Sequence, residues 1–171
     1  SEAYSQEDTS HTAVIYGNDN SFVVKAPKGW ILDTKSGLSS GLSAVFYPQG
    51  SNWEKGVTVM YCNSASKKVK GNETLQQIMD FDIGRFKNEQ GAEINDGGKV
   101  VTSDSNLAYI KYFYDKKNIN YEAVAYIDER NVVVFLVISS RDKDDFEKSF
   151  ESFKEFVESY YYLTDNVKIE K

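Results

Sequence analysis

LAYIKYFYDKKNINYEAVAYIDERNVVVFLVISS, residues 107–140, contains three β-type segments separated by two short polar turns. The segments span residues 107–114, 121–127 and 132–138, and the turns KKN and DERN consist of residue types that favour tight reversals. A shorter segment, 99–102, precedes them across SDSN. We therefore predict a four-stranded antiparallel meander. VVVFLVI is apolar at every position, which predicts a central strand buried on both faces, with helices over one side of the sheet.

The first sixty residues carry four further β-type segments. They read AVIY (13–16), FVVKA (22–26), LSAVFY (42–47) and VTVMYC (57–62). The first two flank Gly17-Asn18-Asp19-Asn20, whose residues tolerate positive φ, so they form a hairpin. Pro27-Lys28-Gly29 then carries Trp30 round a corner, where we expect its indole to cover an edge of the core.

Two segments have the period of a helix instead. The side chain of Asn72 can cap a helix that begins at Glu73 and ends at Gly91. Its apolar residues fall on one face, while a charged face is expected to point to solvent; the apolar set is Leu75, Ile78, Met79, Ile83 and Phe86, and the charged set is Asp80, Asp82 and Lys87.

The second helix follows the acidic and hydroxyl side chains of residues 140–145, which favour a helix start. Its apolar residues recur at steps of three and four and predict a face that docks on the sheet; they are Phe146, Phe150, Phe153, Val157 and Tyr160. The expected fold class is α+β, with an antiparallel sheet of about seven to eight strands and the order β-β-β-β-α-β-β-β-β-α. A single domain is expected over residues 13–163, between an acidic lead-in (1–12) and a tail (164–171).

Several of these segments resemble one known family. FVVKAPKGW, LSAVFYP, YIKYFYD, VVVFLVISS and FEKSFESF, with one amphipathic helix between them, are similar to the family of the photosystem II oxygen-evolving accessory protein PsbP and the Ran-binding protein Mog1. The resemblance covers about residues 13–163. It implies a sandwich of antiparallel sheet and helices, and a noncatalytic role in binding or assembly. It transfers no partner-specific site to this chain.

Composition excludes several function classes. The net charge of −6 and the pI of about 4.9 argue against nucleic acid or an anionic membrane surface as the main partner. No apolar run is long enough to span a bilayer. One cysteine, Cys62, cannot form an internal disulfide, and one histidine, His11, argues against histidine-dependent catalysis and multi-histidine metal sites. We expect no metal and no cofactor.

The search for catalytic groups yields only weak candidates. Cys62 is expected to be a buried strand residue. The acids at 142, 144 and 145 can bind a hard cation, but a helix start is where such acids already stabilise the macrodipole. No phosphate-binding glycine loop is present. Paired carboxylates for glycoside hydrolysis have candidates in name only: Asp33, Glu54, Glu122 and Asp128.

Aromatic residues are the most distinctive feature, because Phe, Trp and Tyr make up 14% of the chain. Exposed tyrosine and tryptophan make good contact residues, since they present a large rigid area with a polar end. The candidate binding patch comprises Tyr47, Trp53, Tyr112, Tyr114 and Tyr121. The alternative is that cross-strand aromatic pairs only stabilise the sheet.

The leading hypothesis is a noncatalytic, extracytoplasmic binding or accessory protein that recognises another protein through this patch. The second is a carrier of a small molecule or lipid, with a pocket between the sheet and the C-terminal helix. A hydrolase comes third. The polar start of the chain is typical of a tether left after removal of a signal peptide, with or without a lipid anchor upstream of Ser1; a trimmed chain is the alternative.

Overall fold

The structure is a computed structural model, and it describes residues 11–167, apart from the side chain of Gln90. Residues 12–167 contain ten strands, three α-helices and one 3₁₀ turn. In chain order they are β1 (Thr12–Tyr16), β2 (Ser21–Lys25), β3 (Trp30–Asp33), the 3₁₀ turn Leu38–Ser40, β4 (Val45–Pro48), β5 (Thr58–Ser66), α1 (Leu75–Gln90), β6 (Glu93–Val101), β7 (Leu107–Asp115), β8 (Asn120–Asp128), β9 (Val132–Ser140), α2 (Lys143–Lys148), α3 (Phe150–Glu158) and β10 (Tyr161–Thr164).

All strand pairs are antiparallel and form two sheets. The large sheet has seven strands in the order β3-β4-β5-β9-β8-β7-β6, and the small sheet has three in the order β1-β2-β10. The meander β6-β7-β8-β9 confirms the order predicted from residues 99–138, and the β1-β2 hairpin confirms the reversal at residues 17–20. The α+β class with an antiparallel sheet is therefore confirmed.

Strand β9 is central and buried on both faces, as its apolar run predicts. Val134 and Leu136 belong to a core shared with the small sheet and α3, whereas Val133 and Val137 belong to a core shared with α1. The prediction that helices cover one side of the sheet is wrong, because α1 lies on one face and α2 and α3 lie on the other. Both faces of the meander are apolar, so both need a covering layer.

Helix α1 begins later than predicted and has a different cap. Thr74 rather than Asn72 caps it: the Thr74 hydroxyl accepts from the Gln77 backbone N–H at 3.2 Å, and the Gln77 side chain accepts from the Thr74 N–H at 3.1 Å. This reciprocal capping box satisfies two helix-end donors, which an asparagine at position 72 cannot do alone. The helix ends at Gly91, as predicted, where φ is +64°.

The predicted second helix is two short helices that meet at Ser149. Asp142 caps α2 by accepting from the Asp145 N–H at 2.9 Å. Four of the five predicted contact residues are buried, and Phe150 is half-buried; the buried ones are Phe146, Phe153, Val157 and Tyr160.

Three strand assignments differ from the sequence-based expectation. Trp30 is buried as expected, but it begins strand β3, which pairs with β4. Strand β6 begins at Glu93 rather than Lys99, because a bulge between Asp96 and Lys99 interrupts its apolar pattern. Strand β10 extends the small sheet. The lead-in lies outside the described residues except for His11 and Thr12, and residues 168–171 of the tail also lie outside them.

Candidate binding surface

Three of the five candidate residues come together on the β7–β8 hairpin. Tyr112 and Tyr114 alternate onto one face of β7, and Tyr121 is the direct cross-strand partner of Tyr114. The hairpin turn is closed by Asp115, whose carboxylate accepts from the backbone N–H of Asn118 at 3.1 Å and from its side-chain amide at 2.7 Å. Strand register therefore fixes the spacing of the three rings.

Two phenylalanines of the C-terminal helices, Phe146 and Phe150, pack against these rings. The ring of buried Phe146 lies 6.3 Å from Tyr112, 5.9 Å from Tyr114 and 6.4 Å from Tyr121, measured between centroids. Phe150 lies 5.5 Å from Tyr112. Tyr112 and Tyr114 stack at 5.8 Å, and Tyr114 meets Tyr121 edge-on at 5.7 Å. We call these five residues the tyrosine cluster: Tyr112, Tyr114, Tyr121, Phe146 and Phe150.

The tyrosines of this cluster keep their polar ends available. All three are half-buried, and none of their hydroxyls forms a hydrogen bond within the part of the chain that the structure describes. Partial burial raises the pKa of Tyr112 and of Tyr114, and the nearby negative charge of Glu147 and Glu93 raises the pKa of Tyr114 further. At neutral pH the hydroxyls of Tyr112 and Tyr114 are therefore protonated donors.

Charged side chains surround the tyrosine cluster. Lys116 forms an ion pair with Glu93 at 3.0 Å, and Lys143 pairs with Glu147 along α2 at 3.9 Å. Exposed pairs of this kind contribute little to stability, so they remain free to exchange partners. An aromatic centre with a charged rim is the usual anatomy of a protein-binding patch.

Tyr47 and Trp53 lie on the opposite face of the large sheet. Val45 pairs with Tyr61, which packs into the core beneath α1, and Tyr47 shares the side of Val45. The Tyr47 hydroxyl donates to Asp33 at 2.7 Å, and Trp53 meets Tyr61 edge-on at 6.0 Å. The predicted patch is therefore divided: Tyr47 and Trp53 make local packing contacts and do not join the tyrosine cluster.

Of the four carboxylates named for glycoside chemistry, Asp33 has a structural role. Burial acts to raise its pKa, but hydrogen bonds from Ser36, Tyr47 and the Lys35 backbone outweigh burial and hold the pKa well below its usual range. The Ser36 hydroxyl donates at 2.5 Å and the Lys35 N–H at 2.8 Å. These bonds close the chain reversal after β3 and keep Asp33 ionised.

A polar cluster beneath α1 was missed by sequence reasoning. Asp82, expected to face solvent, faces the sheet: its side chain is only 16% exposed, accepts from the Tyr126 hydroxyl at 2.9 Å and pairs with Arg85 at 3.2 Å. Glu122 lines the same cavity, and burial raises its pKa. The cavity measures about 110 Å³, well below the roughly 300–1,000 Å³ of ordinary ligand pockets, so it accommodates water but no substrate.

Cys62 and the acidic side chains are the remaining candidates for a chemical role. Cys62 is buried on β5, and burial raises the pKa of its thiol well above the ordinary range, so it is unreactive. Within residues 11–167, no group of three or more His, Cys, Asp and Glu side chains converges on a common point that could hold a metal ion. No helix in the same range is long and apolar enough to cross a membrane.

A cavity of about 640 Å³ lies where the end of α3 meets the small sheet and the turn before β3. Its lining combines polar and apolar surface and is formed by His11, Thr12, Lys25, Ala26, Pro27, Lys28, Gly29, Glu155, Ser159 and Tyr161. The turn is anchored to α3, because the Lys28 N–H donates to Glu155 at 3.2 Å and the Lys25 N–H donates to Ser159 at 2.9 Å.

Known proteins share this architecture but little of its sequence. No protein-family model and no curated protein sequence matches the chain. Among solved structures, the cyanobacterial PsbP protein CyanoP from Synechocystis sp. PCC 6803 is similar with a TM-score of 0.58 at 12% identity, over 93% of this chain and 96% of that one.

Two further solved structures have a similar fold. The mycobacterial protein LpqN, involved in cell envelope biogenesis of Mycobacterium tuberculosis, has a TM-score of 0.57 at 13% identity, over 88% of this chain and 90% of its own. The Ran-binding protein Mog1p of Saccharomyces cerevisiae has a TM-score of 0.51 at 12% identity, over 88% and 93%. At these identities the likeness concerns the fold alone: the chain has the PsbP/Mog1-like fold.

Proposed function

We propose that this chain is a noncatalytic binding or accessory protein that captures another protein through the tyrosine cluster. The observation that carries the proposal is the group of three adjacent, half-buried tyrosines whose hydroxyls have no hydrogen-bond partner within residues 11–167. A partner that covers these rings would bury a large rigid aromatic area and would pair the hydroxyls at little cost in conformational entropy.

The contacts of Phe146 with the tyrosine rings favour a binding role over a role limited to stabilising the sheet. Phe146 contacts all three tyrosines and is itself only 2% exposed, so the tyrosine rings are held in place before any partner arrives. Preorganised contact residues lose less entropy on binding than mobile ones. The description of Mog1p as a Ran-binding protein supports the same class of function for this fold.

The test is capture of partners from an extract of the source organism, followed by affinity measurement with the captured protein. Tyr114→Ala and Tyr121→Ala should each weaken binding by about 30-fold or more, as truncation of a central aromatic contact does. Tyr16→Ala is the matched control, because Tyr16 is 67% exposed on the small sheet, away from the tyrosine cluster.

Thermal unfolding of the same variants separates binding from folding. Loss of capture with an unfolding temperature within a few degrees of the parent supports the tyrosine cluster as the binding surface. Equal capture by Tyr114→Ala and Tyr16→Ala refutes it. A large decrease in the unfolding temperature of both Tyr114→Ala and Tyr121→Ala would instead show that these rings belong to the core.

We also propose an extracytoplasmic location. The acidic, polar composition of residues 1–12 supports it, as does the part that LpqN takes in cell envelope biogenesis. Fractionation of source cells tests it: recovery of the protein in the envelope or secreted fraction is expected, and recovery in the cytoplasm contradicts the proposal.

A second candidate function is a carrier of a small polar molecule, which the cavity of about 640 Å³ beside α3 favours. Its two lysines and Tyr161 suit an anionic ligand better than a lipid tail. Native mass spectrometry of the protein isolated from its source distinguishes the candidates. A discrete small added mass that Lys25→Ala removes supports the carrier, and a bare chain refutes it.

A further inference from the structure

The outer face of α1 carries a large apolar side chain in water. Phe81 is 64% exposed, whereas the apolar residues on the other side of the helix pack into the core beneath it. Phe81 thus lies on the side of α1 that points away from the sheet. A phenylalanine here leaves apolar area in contact with solvent, which costs free energy unless another surface covers it.

Beside Phe81, the helix interior contains a glycine that the fold does not require. Gly84 lies one turn after Phe81, has no positive φ, and a Cβ built on it would meet no atom within 4 Å. Glycine is the poorest helix former after proline, so any other residue would favour α1 more. Neither backbone strain nor close packing within residues 11–167 accounts for its presence.

The missing side chain leaves a hole in the helix surface. A shallow cavity of about 320 Å³ lies there, lined by Asp80, Phe81, Gly84, Arg85, Asn88 and Glu89. Residues at positions i, i+3, i+4 and i+7 of a helix outline the socket that receives a side chain from a facing helix, and Phe81, Gly84, Arg85 and Asn88 have this spacing. A knob and a socket therefore lie side by side on one face.

We propose that α1 is a self-association surface on which two copies of this chain pair antiparallel about a twofold axis. Each Phe81 enters the socket over Gly84 of the other copy, and the same contact recurs by symmetry, as an isologous interface requires. Gln77 and Asn88, which share the centre of this face, then lie opposite each other across the axis. Because this face is separate from the tyrosine cluster, the inference goes beyond the proposed function.

Charge on the flank of this face fits the antiparallel arrangement. Asp80 and Lys87 lie on the same side of the helix, Asp80 in its first half and Lys87 in its second. In an antiparallel pair, each Asp80 faces Lys87 of the other copy, whereas in a parallel pair these flanks lie on opposite sides of the seam and the two charges do not meet. A single helix face is small, so the dimer is expected to be weak and to form at high protein concentration.

The first experiment is sedimentation equilibrium of the full chain from about 10 μM to about 1 mM, a range that covers weak association. The average mass of the parent should rise from one chain towards two. Phe81→Ala should remain a single chain, and so should Gly84→Leu, which fills the socket and whose Cβ meets no atom within 4 Å. Leu38→Ala is the matched control, because Leu38 is 61% exposed outside α1.

Thermal unfolding at about 5 μM, where the chain is monomeric, keeps this test independent of folding. Gly84→Leu should be at least as stable as the parent, since leucine favours a helix. A monomeric Gly84→Leu that unfolds at or above the parent temperature supports the inference. A parent that remains monomeric up to about 1 mM, or a Gly84→Leu that dimerises like the parent, overturns it.

Charge exchange tests the orientation. Asp80→Lys should reduce the association constant by at least 10-fold, and so should Lys87→Glu, whereas the double variant should restore it to within about threefold of the parent. No restoration, or association unaffected by either single change, overturns the antiparallel arrangement.

Discussion

Tyr126→Phe isolates the polar link between α1 and the large sheet. The Tyr126 hydroxyl donates to the Asp82 carboxylate at 2.9 Å, and its ring is fully buried and meets Phe135 edge-on at 5.4 Å. The substitution removes one hydroxyl and leaves the ring in place. Any loss of stability therefore reports on the hydrogen bond rather than on packing.

The expected loss is about 1.5–3 kcal/mol, the usual net value of a hydrogen bond to a charged group. Asp82 retains its contact with Arg85 at 3.2 Å, so the carboxylate is not left without a partner. A chain of 171 residues changes its unfolding temperature by about 2–4 °C per kcal/mol, which predicts a decrease of about 3–12 °C.

Urea unfolding at pH 7, followed by circular dichroism, measures this loss, with Tyr16→Phe as the exposed control. A cycle that adds Asp82→Ala and the double variant should give a coupling energy of about 0.5–3 kcal/mol. A loss below about 0.5 kcal/mol for Tyr126→Phe, or strictly additive losses in the cycle, would show that the link does not hold α1 to the sheet.

Glu122→Gln should stabilise the protein at neutral pH. Burial raises the pKa of Glu122 above its unfolded value, so the folded parent binds a proton more readily, and its stability rises as pH falls from the folded pKa towards the ordinary glutamate pKa of about 4.3. Unfolding free energies from pH 4 to 8 should show the advantage of the variant shrinking on acidification; an advantage independent of pH would contradict this assignment. Phe153→Ala should cost about 3–5 kcal/mol in urea unfolding, because Phe153 is fully buried. Phe150→Ala should cost clearly less, because Phe150 is half-buried, and equal losses would contradict the observed helix face.

The meander could be predicted because the residues that determine it are close together in the sequence. Turn residues separate segments of continuous β-type sequence, and sequential strands usually pair with their neighbours. Strands β3 and β10 were missed because each is short and begins directly after another element: β3 follows the Pro27–Gly29 turn, and β10 follows the last helix, to which Tyr160 was assigned. Asp82 was misplaced for another reason: a helical face assigned from apolar residues alone takes no account of a buried hydroxyl, such as that of Tyr126, that draws a carboxylate inward.

Strand register determines where three of the candidate residues lie. Tyr112, Tyr114 and Tyr121 share a face because the hairpin turn fixes their pairing. Tyr47 and Trp53 depend on β4 and β5, whose register follows from long-range pairing with β9 rather than from a tight turn. Phe146 and Phe150 were predicted as core residues, but their contact with the tyrosines required the docking position of α2 and α3.

The two proposed surfaces lie on opposite sides of one sheet, and this separates their functions physically. The tyrosine cluster rests on the face covered by α2 and α3, whereas Phe81 and Gly84 lie on the outer side of α1, which covers the other face. Pairing through α1 would thus leave both tyrosine clusters uncovered and pointing away from the twofold axis. Such a dimer would present two binding surfaces at once, so a partner displayed in several copies would be held by both together, with an apparent affinity above that of either surface alone.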